Sequence, residues 1–176
     1  MIPSFDSLGL ADNIIKGVYA YGFERPSAVQ QRAVLPILKG RDVIVQSQSG
    51  TGKTCVFSLG ALSAVSVKDR DPQVLILSPT RELAVQTHKF CLELSHFVTP
   101  KFQFCCLVGG DAMEDQFEML SHNPDCLVST PGRLQHILAE TQLGLGRVEY
   151  VVFDEADRLF ELGFAEQLRR ILHGCP

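Results

Sequence analysis

Apolar residues fall in short continuous runs, each followed by a small or polar turn and then by an amphipathic stretch. The runs are Val43–Val45, Val74–Leu77, Phe104–Val108, Cys126–Val128 and Tyr150–Phe153. None alternates apolar with polar residues, which predicts strands buried on both faces. Stretches near 53–67, 81–97, 112–121, 132–141 and 164–173 read as helices lying between them. Strand and helix in alternation predict an α/β fold, a doubly wound parallel sheet with helices on both faces. Upstream, residues 1–42 read as a helical extension. Leu8, Leu10, Ile14, Ile15 and Val18 are spaced for one apolar face, which Tyr21-Gly22 ends. Pro26–Gln30 opens a second helix, where Ser27 and Gln30 make a capping box and Phe23 can staple the turn.

Composition narrows the class without choosing a function. The 176 residues suffice for one domain with a sizeable core, and 45% hydrophobic with 20% charged residues is ordinary for a globular chain. No apolar run approaches the roughly 20 residues of a membrane span. The first residues, Met1–Asp6, carry neither the basic nor the apolar region of a secretory signal. Six cysteines form no CxxC pair and read as small core residues of a reduced, intracellular protein. The five histidines form no zinc-ligand pattern. A net charge of −4 argues against a broad basic surface, so any polyanion must be bound locally.

Ligands of such sheets bind beyond the carboxyl ends of the strands, and each of those ends carries unusual residues. The first run leads into Ser47–Thr54, a Gly-rich turn that opens a helix. Backbone N–H groups there converge on an anion, and the helix N-terminus adds partial positive charge. Lys53 can then reach the β- and γ-phosphates of a nucleotide, and the Thr54 hydroxyl can ligate Mg²⁺. Ser47 stands where the strict pattern has Gly, and the plainer alternative is a turn that binds nothing. The second run ends in Ser78–Leu83, where Thr80 can cap a helix whose first turn holds Arg81. A cation there opposes the helix dipole, a conflict that a bound anion would resolve. Gly109-Gly110, after the third run, permits close approach of another backbone. Thr130–Arg133, after the fourth, repeats the cap, adds a proline at the first helical position and brings another early arginine. Singly these are routine helix starts. Together they suit a polyanion lying along one edge. The fifth run ends in Asp154-Glu155-Ala156-Asp157. Beside a phosphate loop, Asp154 would hold Mg²⁺ largely through water and Glu155 would orient an attacking water, as nucleotide hydrolysis requires. An acidic first helical turn is the alternative, and it leaves Asp154 unexplained.

These residues resemble the DEAD-box RNA helicases over nearly the whole chain. Asp154–Asp157 is the motif that names the family, and Ser47–Thr54 is similar to its phosphate loop, where a small residue other than Gly commonly stands first. Gly22–Gln30 resembles its adenine-reading motif, with Ser27 in place of the commoner Thr, and Phe5 fits its isolated upstream aromatic. Pro79–Leu83, Gly109-Gly110 and Thr130–Arg133 match its RNA-backbone motifs. The resemblance implies a RecA-like P-loop NTPase fold with ATP and Mg²⁺ as cofactors. It assigns Phe5, Phe23, Arg25, Ser27, Gln30, Ser49, Gly50, Thr51, Gly52, Lys53 and Thr54 to the nucleotide. Gln30 would read the adenine edge, Phe23 would pack on the base and Ser27 would support the loop. Lys53, Asp154 and Glu155 would be catalytic, and Asp157 would link the ATP site to a following Ser-Ala-Thr motif. Pro79, Thr80, Arg81, Gly109, Gly110, Thr130, Pro131 and Arg133 would hold sugar and phosphate of single-stranded or short duplex RNA. Such contacts carry no base code, so binding would be largely independent of sequence. Within the family, Tyr19–Thr54 resembles the initiation factor 4A branch and Ile76–Gln167 the nucleolar ribosome-biogenesis branch. Nuclear and cytoplasmic locations both fit.

No Ser-Ala-Thr follows Asp157, and nothing supplies the arginine fingers of a second lobe. The resemblance therefore implies the first RecA-like lobe alone, nearly inactive by itself. Arginine fingers are worth roughly 10³–10⁵ in turnover in related enzymes. An ATP-dependent RNA clamp or scaffold is the alternative to an unwinding or remodelling enzyme. A small-molecule P-loop kinase lacks its second phosphate-acceptor lid here.

Overall fold

The computed structural model describes residues 4–66 and 71–176 and divides the chain into two compact units. The first comprises Met1–Ala64 and Phe90–Lys101, the second Val65–Lys89 and Phe102–Pro176.

The first unit is helical. Phe5–Leu8 forms a 3₁₀ turn that Gly9 ends at φ 77°, and α1 follows over Asp12–Tyr21. The apolar face expected across Leu8–Val18 is thus split between two elements, because Gly9 turns left-handed. Leu8, Leu10, Ile14, Ile15 and Val18 are all buried nonetheless. Gly22, at φ 111°, ends α1 as expected. Helix α2 (Ala28–Leu38) starts at Ser27 with both bonds of the capping box in place. Helix α3 runs Lys53–Ala64, and the residue at which it was expected to end, 67, lies outside the described residues, as do Met1–Pro3.

Val43–Val45 forms no strand, contrary to expectation. Residues 41–48 are irregular, and Ile44 is 99% exposed. Three apolar residues bounded by Asp42 and Gln46 have strand propensity but no strand stability unless a neighbour pairs with them. Among the described residues no sheet includes them.

The second unit is built on a four-stranded parallel sheet in the order β2-β3-β1-β4. The strands are β1 (Val74–Leu77), β2 (Phe104–Leu107), β3 (Cys126–Ser129) and β4 (Tyr150–Phe153). Helix α4 (Arg81–Leu94) follows β1 and belongs to this unit as far as Lys89. Helix α5 (Met113–Ser121) joins β2 to β3, and α6 (Pro131–Glu140) joins β3 to β4. After β4 come α7 (Ala156–Glu161) and α8 (Ala165–Leu172), separated at Gly163, whose φ is 81°.

The two central strands, β1 and β3, are buried throughout. The outer two are not buried on both faces as expected: β2 alternates buried with half-buried residues, and Phe153 of β4 is 37% exposed. Among the described residues each pairs with a strand on one side alone, which uncovers side chains that the apolar runs would place inside. Leu75, Leu77, Cys105, Leu107 and Leu127 pack with Leu134, Ile137, Leu159, Leu168 and Ile171 in one core. Register sets Leu77 level with Ser129 and Phe153, and Leu107 level with Ser129. The residues following all four strands therefore emerge on one rim of the sheet.

Candidate phosphate-loop and strand-end sites

In the first unit, the start of α2 holds the loop that precedes α3. Ser27 Oγ accepts the Gln30 backbone N–H at 3.4 Å and donates to the Thr51 carbonyl at 2.8 Å. Gln30 is 1% exposed; its Oε1 accepts from the Ser27 N–H at 2.8 Å, and its Nε2 donates to the Gly52 carbonyl at 3.4 Å. So close an approach needs glycine at position 52. Its φ is 97°, and a Cβ there would lie 2.4 Å from Gln30 Nε2. Inside the loop the Ser47 and Thr51 hydroxyls stand 2.7 Å apart, and Thr51 Oγ1 donates to the Gln48 carbonyl at 2.8 Å.

Lys53 Nζ donates to the Ser47 carbonyl and, at 2.9 Å, to that of Gln48. Its ammonium is folded back on carbonyl dipoles of its own loop. A phosphate at the start of α3 offers a full counter-charge in their place. Ser49 and Gly50 are exposed at the loop tip, with Gly50 at φ 77°, and Thr54 lies half-buried in the first turn of α3. The sequence reading missed Ser47 and Gln48 as partners of Lys53. Main-chain carbonyls leave no signature in residue type.

Phe5 is fully buried, edge-on to Tyr19 at 6.1 Å and to Phe23 at 6.0 Å. Phe23 stacks on Tyr21 at 5.4 Å and meets Phe90 edge-on at 6.2 Å. Arg25 is exposed nearby in sequence. The adenine-motif aromatics are thus tied into a cluster of the first unit, with Tyr19, Tyr21 and Phe90 as members that sequence had not singled out.

In the second unit, two arginines of the rim converge on one loop. Thr80 Oγ1 accepts the Leu83 N–H at 3.3 Å and so caps α4, as its position suggested. Arg81, in the first turn, sends Nη1 to the Gly109 carbonyl at 2.7 Å and Nη2 to Asp111 Oδ1 at 2.8 Å. Gly110 lies beneath it at φ 93°, where a Cβ would stand 2.1 Å from Arg81 Nη1. Arg133 donates from Nε to Gln116 Oε1 and from Nη2 to the Asp111 carbonyl, both at 2.8 Å. Gln116 is fully buried and donates to the Val108 carbonyl at 2.8 Å. Pro131 takes the first position of α6, but Thr130 makes no side-chain capping bond, contrary to expectation. Asp111 and Gln116, which organise both arginines, were not read from sequence.

Asp154 lies just past β4, its N–H donating to the Leu77 carbonyl at 2.9 Å. The Ser78 and Thr87 hydroxyls approach its Oδ2 at 3.5 Å. Burial foremost, and then the charge of Glu155, holds its carboxyl above the usual carboxylate range. Glu155 adopts φ 48° and ψ 55°, a left-handed conformation that costs a non-glycine residue on the order of 1–3 kcal/mol. Its carboxylate meets Arg158 at 3.3 Å, and Asp157 is exposed in the first turn of α7. A desolvated carboxylate beside a second acid fits a divalent cation, whose charge reverses both effects. Among the described residues no three His, Cys, Asp or Glu side chains converge.

A parallel sheet of this topology, carrying arginines and an acidic pair at its strand ends, defines a RecA-like lobe. Residues 27–176 match the family model described as DEAD/DEAH box helicase, and the chain belongs to that family. It is 46% identical over 174 residues to eukaryotic initiation factor 4A of Dictyostelium discoideum, covering 99% of this chain and 42% of that protein. It is 47% identical over 174 residues to mouse ATP-dependent RNA helicase DDX54, covering 98% of this chain and 20% of that one. Among solved structures it resembles S. cerevisiae Dbp5 bound to RNA and ADP BeF3, with TM-score 0.87 and 37% identity over 99% of this chain and 44% of that one. A DEAD box protein from the hyperthermophile Methanococcus jannaschii gives TM-score 0.91 and 30% identity over 99% of this chain and 47% of that one. The chain thus spans less than half the length of each of these relatives. Among the described residues no helix is long and apolar enough to cross a membrane.

Proposed function

We propose that this chain is the ATP-binding first lobe, over residues 1–176, of an intracellular ATP-dependent RNA helicase that unwinds short duplexes or remodels RNA–protein complexes. The observation that carries this reading is the convergence of Arg81 and Arg133 on the 109–111 loop, on the rim that also bears Asp154. Two guanidinium groups so placed suit successive phosphates of a strand rather than one small anion.

Lys53, released from the Ser47 and Gln48 carbonyls, would hold the β- and γ-phosphates with the N–H groups that open α3. Gln30 would exchange its Gly52 bond for the adenine edge, with Phe23 beside the base and Ser27 keeping the loop in place. Thr54 and Asp154 would hold Mg²⁺, which neutralises phosphate charge when bound. Glu155 would orient the attacking water. Asp157 would carry the signal to a second RecA-like lobe, whose arginine fingers complete the hydrolytic site.

The first test is nucleotide binding by the 176-residue chain, followed with a fluorescent ADP. Lys53→Ala should weaken it by about tenfold or more, the worth of a hydrogen bond to a charged group, while leaving the circular dichroism unchanged. Equal affinities would remove Lys53 from the site. The chain alone should show no appreciable RNA-stimulated ATP hydrolysis, and turnover comparable with a two-lobed helicase would contradict the division of labour.

A further inference from the structure

Arg81 is already paired with an anion of its own chain. The Asp111 carboxylate takes Nη2 at 2.8 Å, while the Asp111 main-chain carbonyl takes Arg133 Nη2 at 2.8 Å. One residue therefore touches both arginines of the rim, the first through its charge and the second through its backbone. The ion pair is open to solvent, with Arg81 48% and Asp111 39% exposed. The carboxylate engages a guanidinium donor of Arg81 at the distance of a charge-assisted hydrogen bond, the kind of bond that a phosphate oxygen also makes.

We infer that Asp111 is an intramolecular stand-in for an RNA phosphate, an electrostatic gate that a strand displaces and a lone small anion does not. The inference rests on reading the rim as an RNA-backbone site. Opening the gate needs only rotation of the Asp111 side chain. Arg133 is also held by Gln116, which is anchored on Val108, and its contact to Asp111 is to the main chain. Arg81 keeps Nη1 on the Gly109 carbonyl, so its guanidinium stays in place when the carboxylate leaves. An exposed ion pair is weak enough to be exchanged. A strand that already touches Arg133 presents its next phosphate to Arg81 at high effective concentration, an advantage no free phosphate has. Asp111 would thus set the threshold that separates polyanion from anion.

The test is fluorescence anisotropy of a short labelled oligouridylate with the 176-residue chain, over a series of salt concentrations. Wild type is compared with Asp111→Asn, Arg81→Ala and the double variant, each checked by thermal unfolding. Asp111→Asn should tighten binding by roughly three- to tenfold at low salt, through loss of the competing pair and of a repulsive charge. Arg81→Ala should weaken binding and flatten the log–log salt dependence by about 0.7, the share of one single-strand phosphate contact. On the Arg81→Ala background the Asp111→Asn gain should fall below about twofold, because the two residues act as one pair. Inorganic phosphate should compete with RNA at lower concentration on Asp111→Asn than on wild type. If Arg81→Ala binds like wild type, or if no variant binds RNA at low salt, the RNA reading of the rim fails and the gate with it. If Arg81→Ala weakens binding while Asp111→Asn leaves it unchanged or weaker, the gate alone is overturned. An equal gain on both backgrounds would reduce Asp111 to its share of net charge and also overturn the gate.

Discussion

Asp154, proposed as a metal ligand, carries an electrostatic cost in the fold. Its carboxyl titrates above its unfolded value because burial, and then Glu155, disfavours the charge. Between those two values the folded state holds the extra proton, so stability is complete at lower pH and declines as pH rises through the window. Asp154→Asn should therefore raise the unfolding temperature at neutral pH, with the gain vanishing below the ordinary carboxylate range. An unchanged melting curve at neutral pH would mean that the carboxylate is adequately solvated. The sequence showed Asp154 and Arg81 clearly, one as an acid ending an apolar strand and the other as a cation at the wrong end of a helix. It pointed to an anion for Arg81 without locating one. The answer, Asp111, lies 30 residues away in a loop whose path depends on Gly110 accepting φ 93°.

At the scale of elements, caps and long apolar runs were legible and pairing was not. Ser27-x-x-Gln30 reads as a helix start from local chemistry alone, and both of its bonds formed. Four of the five runs became strands, but Val43–Val45 did not, since a strand is stabilised by a neighbour that no local pattern supplies. Burial along β2 and β4 was misjudged for a related reason: position at the margin of a sheet is a property of topology. Gln116 was equally hidden, reading as an ordinary polar residue in α5. It is fully buried and joins the end of β2, through the Val108 carbonyl, to α6, through Arg133. Gln116→Ala should cost about 1–3 kcal/mol, because it strips one buried and one part-buried hydrogen bond and leaves Val108 without its side-chain donor. Chemical denaturation would show this as a lower midpoint at unchanged slope, and an unchanged midpoint would mean that water replaces the amide.

For the molecule as a whole, the alternation of strands and helices was enough to name the fold class. The division into two compact units was not legible, for the chain crosses from one to the other inside a single continuous helix, between Lys89 and Phe90 of α4. The tie between Gln30 and the Gly52 carbonyl has a broader consequence for how the proposed nucleotide preference could change. The side chain proposed to choose the base also braces the loop proposed to receive the phosphates, so the two preferences cannot drift independently. Gln30→Ala should lose affinity even for inorganic tripolyphosphate, a ligand with no base at all, as isothermal titration would register. A loss confined to adenine nucleotides would show instead that selectivity and anchorage can be edited apart.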